Sequence, residues 1–172
     1  MSEIVKNYRK VVKVTPVMTA DDNADNDGAF DWTSFTIGPE LGLARTLQSV
    51  TIMDGYDDAT AIELVFCRGG DNIGTAPTSA QGLIGGSGAG SAAVDITVAE
   101  AQAIEICGHV NMTYTEGDLI LARMATQSNI GLVLSPQSNS SVMYIGGIWR
   151  GDPPDMTSLG TGLMDIYLGF EG

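Results

Sequence analysis

One histidine, two cysteines and 21 acidic residues are the groups with which this 172-residue chain would have to perform catalysis or bind metal. Nucleophilic catalysis of the Ser-His-Asp or Cys-His kind needs a base to take the nucleophile's proton, and His109 is the sole imidazole. No Gly-x-Ser-x-Gly elbow accompanies it. Cys107 and His109 stand two apart, a spacing that puts both on the polar face of one strand, with Cys67 the other thiol. A structural zinc site wants four such ligands, so the pair reads as unrelated strand residues. Two thiols are also too few for a disulfide framework and read as small buried hydrophobes. Asp57 with Asp58, or Asp152 with Asp155, are the candidate carboxylate pairs for glycoside hydrolysis. Both sit in turn-like sequence, and nearness along the chain does not set the separation across a sugar that the reaction requires. The inventory predicts no catalytic residue and no enzyme.

Three further clusters invite a binding role. In the run Asp21-Asp22-Asn23-Ala24-Asp25-Asn26-Asp27-Gly28, aligning Gly28 with the glycine of a calcium loop puts Asn23, Asp25 and Asp27 at the first, third and fifth ligand positions. The bidentate glutamate that should close the loop falls at Ser34, and the flanks are strand-like. Calcium at Asp21–Asp27 is therefore an incomplete site, and Asp, Asn and Gly crowd turns for conformational reasons alone. The glycines at 85, 86, 88 and 90 miss the dinucleotide fingerprint, lack a Gly-Lys-Ser/Thr and have no strand-helix-strand context, so they do not form a phosphate cradle. Trp149-Arg150-Gly151-Asp152 at a strand end is the best candidate for an aromatic surface contact, against the simpler reading of a core tryptophan followed by a loop. No cofactor is expected.

The formal net charge of −13 argues against a nucleic-acid partner bound through a basic face. No segment approaches the roughly 20 apolar residues that a membrane span needs. The start, MSEIVKNYRK, has no apolar core or cleavage site of a secretory signal, which predicts a protein made and assembled in a cytoplasm. The charge is uneven. Lys6, Arg9, Lys10 and Lys13 crowd the first 13 residues against Glu3 alone, whereas the remainder carries four arginines and 20 acids. This reads as a basic arm, residues 1–10, on one acidic domain, residues 11–172, the arm being either a tether to a negatively charged partner or a frayed, solvated terminus.

The elements that must position these groups read as strands. Residues 104–115 alternate with period two, Ile104, Ile106, Val110, Met112 and Tyr114 sharing one face. Residues 60–67 and 163–170 do the same, and 11–18, 46–53, 119–126, 129–135 and 141–150 are further strands. Segment 141–150 is apolar on both faces, so it belongs in the centre of a sheet covered on both sides. Within 29–37 the apolar parity changes, which a bulge near Thr33 and Ser34 would reconcile. Polar links at Glu116–Asp118, Thr126–Asn129 and Ser135–Ser140 separate the strands. Thr97 and Glu100 form a capping box that starts a short helix over 98–103. The pattern predicts an all-β, antiparallel β-sandwich, jelly-roll-like, of eight to nine strands, with one long Gly/Ser-rich loop at 69–96.

Phe35-Thr36-Ile37-Gly38 leads through Leu43-Ala44-Arg45 into Leu47–Asp54, and Ile62–Phe66 pairs back. Near the end, Met143–Gly151 leads through Thr157-Ser158 into Leu163–Leu168. This order resembles small virion proteins of tailed bacteriophages, particularly those of marine and cyanobacterial hosts. The resemblance implies a β-sandwich virion structural protein, a head decoration or cement protein, with no catalytic residues to carry over. It would bind the major capsid protein or other virion proteins as a homo-oligomer. Its location would be the virion, assembled in the host cytoplasm. The other reading is a carbohydrate-binding β-sandwich of a tail or fibre that uses loop aromatics and calcium at 21–28.

Overall fold

A computed structural model describes residues 9–18, 25–55, 60–69, 98–114, 123–151 and 164–171. Among them the alternating segments form β1 (Arg9–Val14), β2 (Gly28–Thr36), β3 (Arg45–Asp54), β4 (Ala61–Cys67), β5 (Ile106–Met112), β6 (Arg123–Leu134), β7 (Val142–Arg150) and β8 (Met164–Glu171). The short helix α1 (Val98–Ala103) lies where the sequence puts it, and it ends on Glu105 in a left-handed conformation (φ 52°). No helix among the described residues is long and apolar enough to cross a membrane.

The strands make two four-stranded sheets, ordered β1-β8-β3-β6 and β2-β7-β4-β5. The first strand pairs with the last, the second with the seventh, the third with the sixth and the fourth with the fifth, all antiparallel. That nesting is what rolling one antiparallel ribbon about itself produces, and it is the strand order of a jelly roll. The expected antiparallel sandwich is therefore the fold.

Between the sheets lies one continuous core, with Phe30, Leu47, Ile52, Leu64, Phe66 and Ile166 fully buried. Phe35 of one sheet meets Phe66 edge-on at 6.2 Å and stacks on Phe170 of the other sheet at 6.3 Å. β7 is buried on both faces, as its double apolar parity requires. Met143, Ile145 and Trp149 enter the inter-sheet core, whereas Tyr144 and Ile148 join Val65, Cys67, Ile104 and Trp32 in two small clusters outside it. Gly147 of β7 sits where a Cβ would lie 2.3 Å from the ring of fully buried Phe30, so the absence of a side chain there makes room for that ring.

Bulges set the phase of the strands. In β2 the register shifts between Phe30 and Thr33, just before the expected position at Thr33 and Ser34, which pair regularly with Ile145 and Tyr144, and both Phe30 and Phe35 then reach the core. In β5 the sequence expectation of one unbroken apolar face fails. Cys67 faces Ile106 and Phe66 faces Gly108, which leaves Cys107 as the extra residue. The slip turns Ile106 outward, while Ile104 joins the outer cluster with Cys67 and Tyr144. Val110, Met112 and Tyr114 stay on the inter-sheet side.

A second correction concerns the expected strands 119–126 and 129–135: their described residues up to Leu134 belong to the single strand β6, and 119–122 lie outside the described residues. The polar link Thr126–Asn129 is strand with a bulge. Leu47 faces Leu132 and Ser49 faces Ser128, so three residues of β6 lie between partners that are only two apart on β3. Asn129 and Gly131 absorb the excess with φ of 59° and 70°. β1 begins at Arg9, so Arg9, Lys10 and Lys13 are strand residues. Residues 1–8, Thr97, the Glu116–Asp118 turn and the Gly/Ser-rich stretch beyond Gly69 lie outside the described residues.

The corners between the sheets are tied by side chains. Lys10 Nζ donates to the Thr36 carbonyl at 3.1 Å, joining β1 to β2. Arg68, just after β4, donates from Nε to the Ser135 carbonyl at 2.6 Å, just after β6. Gly147→Ala is expected to lower unfolding free energy by about 2 kcal/mol, because a methyl group would be forced into a filled core. Phe30→Leu in the same chain should recover part of that loss, and urea unfolding of both variants checks it.

Candidate functional site

The densest polar cluster lies on the outer face of the β2-β7-β4-β5 sheet. Glu63 of β4 faces Asn111 on β5 and Ile148 on β7, so His109 and Arg150 are its diagonal neighbours on either side. Long side chains span that diagonal. His109 Nδ1 lies 2.5 Å from Glu63 Oε1. Arg150 Nε donates to Oε2 at 2.7 Å, and its Nη2 donates to the same oxygen. The Glu63 side chain is 13% exposed and His109 is 59% exposed, so the carboxylate is enclosed and the imidazole open.

Arg150 also carries the segment before β2. Its Nη1 donates to Asn26 Oδ1, and the Gly151 amide donates to Asp25 Oδ1 at 2.9 Å. Backbone bonds between Asn26 and Trp149, and between Trp149 and Asp27, each 2.9 Å, hold the same segment against β7. Asn26 has φ 72°, a left-handed conformation that asparagine tolerates. Beside the cluster is a depression of about 420 Å³ lined by Ala61, Ile62, Glu63, His109, Asn111, Met112, Thr113 and Arg150. A carboxylate that orients an imidazole is the supporting half of a triad. Both carboxylate oxygens are occupied, and no serine or cysteine is among the described residues lining the depression.

The other sequence candidates are dispersed. Cys107 packs on the inter-sheet core and His109 turns to Glu63, so the bulge takes apart the pair that strand parity had put on one face. Burial pushes the Cys67 thiol up to about 12, against the opposing effect of a hydrogen bond with the Gly69 backbone. Burial raises Cys107 as well, partly offset by Arg68. Trp149 is 1% exposed, a core residue and not a surface contact. In the calcium-loop alignment, Asp25 accepts the Gly151 amide, Asp27 is buried, and Ser34 lies within β2. Asn23, Asp57, Asp58, Asp152 and Asp155 lie outside the described residues. Among the described residues no three His, Cys, Asp or Glu side chains gather in metal-binding geometry.

The outer face of the β1-β8-β3-β6 sheet has a different character. Lys13 Nζ lies 2.8 Å from Asp165 Oδ2, and Thr15 Oγ1 donates to Asp165 Oδ1 at 2.6 Å. Those two hydrogen bonds hold the Asp165 carboxyl below its ordinary value, and the bond to Asp165 raises Lys13. Lys13 also sits 5.9 Å from the centre of the Tyr167 ring. Arg9 and Glu171 approach to 3.7 Å. A depression of about 410 Å³ opens at Gly169, where a Cβ would meet Ser49 Oγ at 2.3 Å.

Charge is distributed unevenly along the chain. The described residues hold seven basic and ten acidic groups, whereas the remaining ones hold Lys6 against eleven acids. The described residues are thus close to neutral, and most of the net −13 belongs to the others.

No protein-family model matches the chain, and no curated protein matches it in sequence. Among solved structures, it is similar to a chain of the X-ray structure of tomato aspermy virus, with TM-score 0.40 and 10% identity over 99% of this chain and 79% of that one. It is also similar to a chain of Desmodium yellow mottle tymovirus, with TM-score 0.29 and 9% identity over 99% of this chain and 84% of that one.

Glu63→Ala and Arg150→Ala are each expected to lower unfolding free energy by about 2 kcal/mol, because each leaves a charged partner short of its hydrogen bonds. The double variant should fall short of the sum by about 1 kcal/mol. Urea unfolding of the four proteins checks this, and strict additivity would mean that the contact does not hold in solution. Ellman's reagent at neutral pH is expected to react with both thiols at least about tenfold more slowly in the native protein than in guanidinium, since the thiolate is the reactive form.

Proposed function

We propose that this chain is a virion structural protein that decorates or cements the head of a tailed phage, and that it is not an enzyme. The observation that carries the reading is where its polar chemistry goes. Glu63, His109, Arg150, Arg68, Lys13 and Asp165 all make contacts within the sandwich. Those contacts join strands of one sheet or close a corner between sheets, so they serve rigidity. What such a framework offers a partner is its surface, and a rigid surface is what lattice binding needs, because little ordering entropy is lost on docking. The sequence resemblance to phage virion proteins supports the same assignment. So does the acidity, which keeps the chain soluble until it assembles. Its partners would be the major capsid protein or other virion proteins, and further copies of itself.

The carbohydrate-binding alternative loses Trp149 as a surface aromatic, because that ring is in the core. It retains the depression beside His109 and Asn111 as a place for a polar ligand, and the Asp21–Asp27 segment as a place for calcium.

The test uses purified virions of the phage whose genome carries this sequence. Antibody against the chain is expected to label heads, and stripping the chain should lower the temperature at which they release DNA. Adding it back should restore that temperature. A chain found only in the soluble fraction of the lysate would refute the assignment. Labelling confined to tail tips, with glycan binding that chelator abolishes, would support the alternative.

A further inference from the structure

We infer that the outer face of the β1-β8-β3-β6 sheet is the surface through which two copies of this chain pack together. The inference deepens the assembly reading and rests on it for its purpose, but its physical argument comes from charge. Two copies of a chain carrying −13 repel each other, so they can approach closely only through a face that has no net charge. This face meets that condition. Its charged groups are Arg9, Lys13, Asp165 and Glu171, and they form two ion pairs within the face.

Half of the face carries no charge at all. Along β3 and β6 the outward cross-strand pairs are Met53 with Met124, Thr51 with Thr126 and Ser49 with Ser128. The Thr51 and Thr126 hydroxyls lie 3.1 Å apart and share one hydrogen bond, which lowers the cost of taking them out of water. Met124 is 45% exposed, Val133 58% and Val11 68%, so apolar surface is open on both edge strands. Tyr167 sits between them on β8, and tyrosine and methionine are enriched where proteins meet. The opposite outer face differs, since Val65, Tyr144 and Ile148 there are already buried.

The size is adequate for a reversible contact. Four strands at about 4.8 Å and eight residues at about 3.3 Å give a face of about 500 Å², or about 1,000 Å² for two copies. That reaches the lower bound for a specific interface.

The experiment is sedimentation equilibrium of the full chain from about 5 to 500 μM, with and without added salt. A monomer–dimer equilibrium is expected, strengthened by salt because screening weakens repulsion between the acidic bodies. Thr126→Glu and Met124→Lys, which place one charge of either sign on the face, should each weaken dimerisation at least about tenfold. Ser34→Glu, an exposed position on the other sheet, should not weaken it. Circular dichroism melts identify folded variants, and two face variants keep the test decisive if one fails to fold. A chain that stays monomeric throughout, or folded face variants that dimerise like wild type, would overturn the inference. Neither result depends on binding to heads, so this inference and the decoration reading fail separately.

Discussion

The apolar residues of eight strands reach the space between the sheets only if every strand keeps its side-chain phase. Successive side chains point to opposite faces, so a slip of one residue would move a whole apolar set to the outside. In this chain the constraint is severe, because β1 and β8 pair across nearly the full sequence, as do β2 and β7 across most of it. Phase is corrected locally, by shifts in β2, β5 and between β3 and β6. Each shift changes which residues of its strand reach the core and which remain outside. The Glu63 cluster is one consequence, since the bulge at Cys107 leaves His109 facing outward beside β4.

The same constraint explains what could be read from the amino-acid order. The segments 60–67 and 163–170 alternate without interruption, so their type and inward face were legible. The change of parity between Phe30 and Phe35 was legible as a bulge because large apolar residues stand on both sides of it. The bulge in β5 was not, since Ile104 and Ile106 keep the parity of Val110 while occupying another face. Nothing local distinguishes an apolar residue in the inter-sheet core from one that covers the back of a sheet. In β6 the confusion ran the other way, because Asn129 and Gly131 adopt the left-handed conformation that a reversing turn also uses. A bulge within a strand and a turn between strands draw on the same residues.

The candidate site was legible only in fragments. Glu63 could be placed on the polar face of its strand, His109 could be noted as the one imidazole, and Arg150 could be placed at a strand end. Their contact depends on β4 lying between β5 and β7, and pairing order is set by long-range packing that no local pattern encodes. The basic residues near the chain start show the same dependence on partners. Arg9, Lys10 and Lys13 share with Val11 and Val12 a strand whose neighbour supplies Asp165 and Glu171.

Segregation of charge has a mechanical meaning. A sandwich carrying the full negative charge on its faces would work against its own compaction, whereas the paired charges on the strands leave the described residues near neutrality. The strands hold a fixed shape through Glu63, Arg68 and Asp165, each with a cross-strand or cross-sheet partner. A face whose charges are paired within it meets less repulsion from a second copy than the net −13 of the whole chain would impose.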